Sequence, residues 1–112
     1  MKDDAVYVGH IWECIRRIEE DVAGGREEFF SSHMVQDAVL RNLQTLAEAT
    51  QRLSDTAKAK HPEMEWGPIA ALRNILVHNY LGIDLEAIWG IVQQDLPQLK
   101  RVIAIMLAES RK

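Results

Sequence analysis

Apolar residues recur along this chain at helical spacing, and no stretch alternates as a strand would. Ile11, Ile15, Ile18 and Val22 follow one another at steps of four, three and four, which traces one face of an α-helix. Trp12 and Cys14 widen that face. Asp3 or Asp4 is placed to cap this first helix, and Gly24-Gly25 stops it. Glu19, Glu20 and Asp21 crowd its C-terminal end, where the helix dipole disfavours negative charge. Arg26 to Phe30 reads as a short connection able to turn helical, with Phe29 and Phe30 packing down on the body of the protein. Ser31 or Ser32 then caps a second long helix, whose buried stripe is Val35, Val39, Leu43, Leu46 and Leu53. Ala38, Ala47 and Ala49 permit close approach to it, and Asn42 falls beside the stripe as a satisfied amide or as a polar wall.

Ser54 to Glu65 is the longest polar stretch. Within it Lys58-Ala59-Lys60-His61-Pro62 reads as a loop, and His61 has no ligand partner at a useful spacing. Trp66-Gly67-Pro68 opens a third helix, because Pro68 suits a first turn. Ile69, Leu72, Ile75 and Leu76 are expected to point inward, with Arg73 and Tyr80 on a different side. Asp84 caps a fourth helix carrying Leu85, Ile88, Trp89 and Val92. Pro97 cannot donate a backbone hydrogen bond, so this helix should kink or restart near Asp95 before Leu96, Leu99, Val102, Ile103, Met106 and Leu107. The pattern predicts an all-α fold. Its simplest form is an antiparallel, up-and-down four-helix bundle with the last helix kinked or split near Pro97.

Composition narrows the picture. A chain of 112 residues is one domain, 1–112, able to bury a modest core and to extend it by pairing. The net charge of -4 argues against a protein that coats long nucleic acid, and leaves room for a local basic site. Arg16, Arg17, Arg26, Arg41, Arg52 and Arg73 could build one. No apolar run approaches a membrane span, and Met1-Lys2-Asp3-Asp4 lacks the apolar core of a signal peptide. The single Cys14 excludes an internal disulfide and reads as buried packing, which fits a cytoplasmic protein. His10, His33, His61 and His78 are scattered, with no HExxH or CxxC and no Gly-rich phosphate loop. No metal or cofactor is expected.

The chemistry concentrates in Arg73-Asn74-Ile75-Leu76-Val77-His78-Asn79-Tyr80. Arginine offers a permanently charged planar fork that fits phosphate oxygens. Histidine titrates near neutral pH and can take or give a proton. Tyrosine can position a group, stack on a base or accept a modification. On a straight helix Arg73 and Tyr80 lie within about 20° of each other, whereas Arg73 and His78 diverge by about 140°. Either the helix ends or bends near His78, for which Gly82 is suited, or a second chain completes the site.

These residues spell RxxxxHxY, and the segment resembles the motif of HEPN domains, specifically of the HepT-like branch. The resemblance continues through Gln36-Asp37-Ala38-Val39, Arg41-Asn42-Leu43, Gly82-Ile83-Asp84 and Asp95-Leu96-Pro97, and so covers nearly the whole chain. It implies a metal-independent endoribonuclease toxin of a type II, or AMPylation-controlled type VII, toxin–antitoxin pair. Arg73 and His78 become the catalytic pair and RNA the substrate, since DNA lacks the 2′-hydroxyl the chemistry needs. The implied partner is a minimal nucleotidyltransferase antitoxin that adenylylates Tyr80, and the implied assembly is a homodimer facing a shared cleft. Asn79 and Arg41 are candidate substrate contacts, although Arg41 by itself reads as a solvated side chain. The alternative is a non-catalytic helical binding partner of a nucleotidyltransferase.

Overall fold

The computed structural model describes residues 2–78 and 82–110, with 2, 77 and 78 by backbone alone. Among the described residues all regular structure is helical. α1 spans Lys2–Asp21, α2 Arg26–Ser31, α3 His33–Arg52, α4 Asp55–Ala59, α5 Trp66–His78, α6 Leu85–Gly90 and α7 Leu96–Ser110, with a π-helical turn at Ile91–Asp95.

The apolar stripe of α1 is the core: Val8, Ile11, Ile15 and Ile18 are almost fully buried. Cys14 is buried with them, and that burial pushes its thiol pKa up, so it packs as a small hydrophobe. The acidic end of α1 is partly neutralised. Glu20 pairs with Arg16, and Glu19 accepts from Lys100 of α7 at 2.8 Å. Asp21 is held above the usual carboxylate range, chiefly by desolvation. Gly25 then takes φ 92°, a left-handed conformation open to glycine, and the chain turns. α2 follows as a short helix. Its Phe29 is fully buried, 5.2 Å between ring centroids from Trp89 of α6, while Arg26 sits 4.5 Å above the Phe30 ring and pairs with Glu86. Of the two serines expected at the next cap, Ser32 does the work, accepting the Val35 N–H at 3.2 Å.

Two local expectations fail, for one reason. Asp4 does not cap α1. Its carboxylate accepts the Ser54 N–H at 2.8 Å and the Ser54 hydroxyl at 2.7 Å, joining the start of α1 to the end of α3. Ser54 in turn accepts the Ala57 N–H at 3.1 Å and caps α4. Asp55–Ala59 is therefore helical within the polar stretch, and takes in Lys58 and Ala59 of the segment read as a loop. Five residues do not hold a helix by themselves, so its order depends on this cap and on a carboxylate from another helix.

α1 packs against α3 and α7, and α3 also packs against α5. Gln51, near the end of α3, donates to the Ala70 carbonyl near the start of α5 at 2.7 Å. Neighbouring helices thus meet end to start, an arrangement compatible with a helical bundle. The last helix is interrupted before Pro97, by the π turn that parts α6 from α7, and the backbone stays helical across it. Gly90, Ile91 and Leu96 keep right-handed helical angles, and the Leu96 N–H reaches back to the Ile91 carbonyl. Pro97 has no N–H and its ring would crowd the carbonyl four residues earlier. The wider π turn just before it accommodates both facts, so the expected kink takes the form of an added residue in the turn. Asp84 caps α6 as expected, accepting from Glu86 and Ala87. No described helix is long and apolar enough to cross a membrane.

Candidate functional site

α5 is seated through Leu72 and Leu76, which are buried, and through Ile69, which packs against the core from the edge. Arg73 is half-buried beside them. Positions 69, 72, 73 and 76 form a single helical stripe, so Arg73 does not lie on a different side from the inward residues. It lies on the inward stripe itself. Ile75, expected to point inward, is instead 51% exposed. The reason is angular: the packed stripe runs through 69, 73 and 76, and Ile75 falls on its outer flank.

This placement matters for the guanidinium. Arg73 Nη1 donates to the Asn74 side-chain oxygen at 3.4 Å, a long contact. Arg73 Nε is buried and has no hydrogen-bond partner among the described residues. A buried charged donor without an acceptor costs free energy comparable to a lost hydrogen bond or more. The arrangement therefore holds a cationic, anion-seeking fork at the edge of the core, able to donate to oxygens beyond the described residues. Phosphate oxygens fit that fork in both geometry and charge.

The helix is continuous through His78. At the backbone, Arg73 and His78 therefore leave α5 in directions that differ by about 140°. The backbone between them stays α-helical. Asn79 and Tyr80 lie outside the described residues, as does the helix end expected before Gly82. Arg41 is exposed on α3, as its own reading suggested. Its neighbour Asn42 is half-buried and donates to the Ala38 carbonyl at 3.0 Å, so its amide is engaged within its own helix.

Sequence reading missed a second polar assembly at the opposite end of α5. His61 is buried, 7% exposed, although its surroundings in sequence are polar. Its Nε2 lies 3.2 Å from Glu109 of α7, and its carbonyl accepts the indole N–H of Trp66, the first residue of α5, at 3.2 Å. His61, Glu109, Asp4, Ser54 and Lys60 edge a cavity of about 460 Å³ with Val8 and Met106 in its floor. α5 spans about 18 Å from Trp66, which bonds to His61 at this end, to His78 at the other. Only the presence of a histidine in a polar stretch could have hinted at this assembly.

Comparison with known proteins gives a consistent set of likenesses. A family model described as ribonuclease HepT-like matches residues 11–106. A Thermococcus cleftensis protein named probable ribonuclease HepT is 36% identical over 95 residues, covering 84% of this chain and 86% of that one. An mRNA nuclease HepT from Shewanella oneidensis is 27% identical over 135 residues, covering 91% of this chain and 94% of its own length. A Methanocaldococcus jannaschii protein, named for a gamma-glutamylcyclotransferase with a provisional RNase label, is 37% identical over 112 residues. That alignment takes 99% of this chain and 50% of the relative, so the chain spans half its length. No solved structure matches.

Proposed function

This chain belongs to the ribonuclease HepT-like family, and on that premise we propose that it is a metal-independent endoribonuclease toxin whose RxxxxHxY segment is the active site. The observation that carries the reading is Arg73, held on the inward stripe of α5 with a buried Nε that nothing in the described chain satisfies. Nuclease relatives supply the substrate class, RNA. In the proposed chemistry His78 assists removal of the ribose 2′-hydroxyl proton, or protonates the departing 5′-oxygen. The 2′-oxygen attacks the adjacent phosphorus, the bond to the 5′-oxygen breaks, and a 2′,3′-cyclic phosphate results. Arg73 stabilises the charge that builds on the phosphate oxygens. The divergence of Arg73 and His78 along one helix favours a symmetric dimer in which two copies face one cleft. Asn79 and Arg41 remain candidate contacts to the RNA.

Control by a minimal nucleotidyltransferase antitoxin belongs to the same proposal. The Tyr80 oxygen attacks the α-phosphorus of ATP, pyrophosphate leaves, and AMP remains on the ring. The adduct adds bulk and negative charge next to Arg73 and His78, and both oppose RNA entry. The deciding experiment is cleavage of varied RNAs in EDTA by the pure protein, alongside Arg73→Ala and His78→Ala. Activity lost in both variants supports the assignment. Equal activity in all three proteins, or none in any, rejects it, and a stable complex with a nucleotidyltransferase would then leave the non-catalytic partner role. Intact mass with a cognate transferase and ATP should show one AMP adduct that Tyr80→Phe lacks.

A further inference from the structure

α3 and α5 pack together, and Gln51 near the end of α3 donates to the Ala70 carbonyl near the start of α5 at 2.7 Å. The contact continues back along α3, where Leu43 and Leu46 line one apolar recess with Ile69 and Leu72 of α5. The two helices therefore lie alongside each other in opposite senses, and Ala47, fully buried, lets them approach closely. A step of seven residues returns to within about 20° of the same helix face and rises about 10 Å. Seven back from Gln51 is Gln44, and seven on from Ala70 is Val77. Gln44 thus stands on the α5 flank of α3, at the level of Val77 and His78. On α5 the direction of Val77 lies about 40° from that of Arg73 and about 100° from that of His78, within the arc that separates them. Of the three glutamines of α3, Gln36 donates to the Phe29 carbonyl at 2.9 Å and Gln51 to Ala70. Gln44 is half-buried and makes no such bond to a described residue. Glu48, between Gln44 and Gln51, pairs with Arg52 of its own helix at 3.6 Å.

We propose that Gln44 is a further contact of the RNA site, resting on the ribonuclease reading and deepening it. Its amide N–H donates to a phosphate oxygen of the strand where the strand crosses from Arg73 toward His78. A glutamine amide offers two donors and one acceptor and carries no charge. It therefore fixes the register of the strand without competing with Arg73 for the phosphate that reacts, as neutral contacts to a nucleic-acid backbone do. Asn42, two positions earlier, leaves α3 about 200° away and spends its amide on the Ala38 carbonyl. Glu48 would repel phosphate, and its pairing with Arg52 keeps its charge partly answered within α3. On this flank Gln44 is the side chain with both the position and the spare hydrogen-bonding capacity.

The test is binding of a short single-stranded RNA whose 2′-hydroxyls are methylated, so that it binds without being cut. Affinity is read by fluorescence anisotropy on the full chain, beside cleavage of the unmodified strand. Gln44→Glu keeps the shape of the side chain and sets a carboxylate against the phosphate, so Kd should rise about tenfold. Gln44→Lys adds a cation, so Kd should fall and its salt dependence should steepen by about one counterion. The same two changes at Thr45, one position along and 100° round α3, should leave Kd within about twofold. Opposite responses at Gln44 report charge against phosphate, which a packing role would not produce. Equal Kd in the wild type and both Gln44 variants overturns the contact, and so does a loss of affinity in both. Cleavage by the wild type in either case leaves the ribonuclease reading standing. Opposite responses in a protein that cuts no RNA keep the contact and reject the ribonuclease reading. A wild type that neither binds nor cuts RNA overturns both.

Discussion

Thr50 and Arg73 are both polar residues set on the inward stripe of a long helix, α3 for one and α5 for the other. Thr50 is 0% exposed, and its hydroxyl donates to the Leu46 carbonyl one turn earlier at 2.9 Å. That bond is made within the helix, needs no partner from elsewhere, and lets the methyl group pack as valine would. Among the described residues Arg73 has only the 3.4 Å contact to Asn74, and its buried Nε has no acceptor. Both residues break the apolar pattern of their stripe, yet the fold answers only the first. A satisfied exception reads as packing. An unsatisfied one is a standing cost, and among native proteins such costs concentrate where function requires them.

The largest expected effect follows directly. Arg73→Ala should lower RNA cleavage by about 10²- to 10³-fold, the usual consequence of removing a group that stabilises transition-state charge. Stability should not fall with it. Arg73→Met keeps the length of the side chain and removes the unpaired donor, so its denaturant midpoint should equal or exceed that of the wild type. An Arg73→Met protein clearly less stable than the wild type would mean that Arg73 has a structural partner after all, and the contrast with Thr50 would collapse.

Thr50 supplies the smaller, opposite arm. Thr50→Val keeps the shape and deletes the hydroxyl, and the Leu46 carbonyl retains its place in the helix. The change should stay within about 1 kcal/mol of the wild type by denaturant unfolding. Cleavage should be unaltered. A gain as large as that of Arg73→Met would show that the two exceptions are not different in kind.

The same distinction separates what could be read from the sequence from what could not. Ser32, Asp84, Gly25 and Phe29 each act through neighbours a few residues away or through a strong apolar preference, and their roles were legible. So was the disturbance before Pro97, though not its form as a π turn, since a missing N–H predicts trouble without choosing the remedy. Asp4, α4 and His61 were misread because their partners are distant in sequence: Ser54 lies 50 residues from Asp4, and Glu109 lies 48 from His61. No periodicity encodes such a pairing. For the candidate site, the residue types and spacing of Arg73 and His78 were legible as chemistry. The inward position of Arg73 was not, because an apolar run that includes Ile75 leaves the angle of the packed stripe open by one residue. Tyr80 and Asn79 rest on the motif alone.

Asp4 gives an intermediate case, a polar group satisfied at long range, and the smallest effect. Its two bonds from Ser54, the hydroxyl first and the backbone N–H second, hold its pKa below the ordinary carboxylate value. A folded-state pKa below the unfolded one means that stabilisation is present above the unfolded value, near pH 4, and is lost as pH falls through the folded one. Ser54→Ala removes the larger of the two bonds and also the cap on α4. The cap does not titrate, so its loss should cost about 1 kcal/mol at every pH. The Asp4 part does titrate. The gap in stability between wild type and Ser54→Ala should therefore be widest near pH 7 and narrow below about pH 4 to the constant cap contribution. Asp4→Asn, which leaves Ser54 able to cap α4, should show the titrating part alone. A gap that stays constant down to pH 2.5 would assign all of the loss to the cap. Asp4 would then join neither Thr50, whose bond is made within its helix, nor Arg73, whose Nε finds no partner among the described residues.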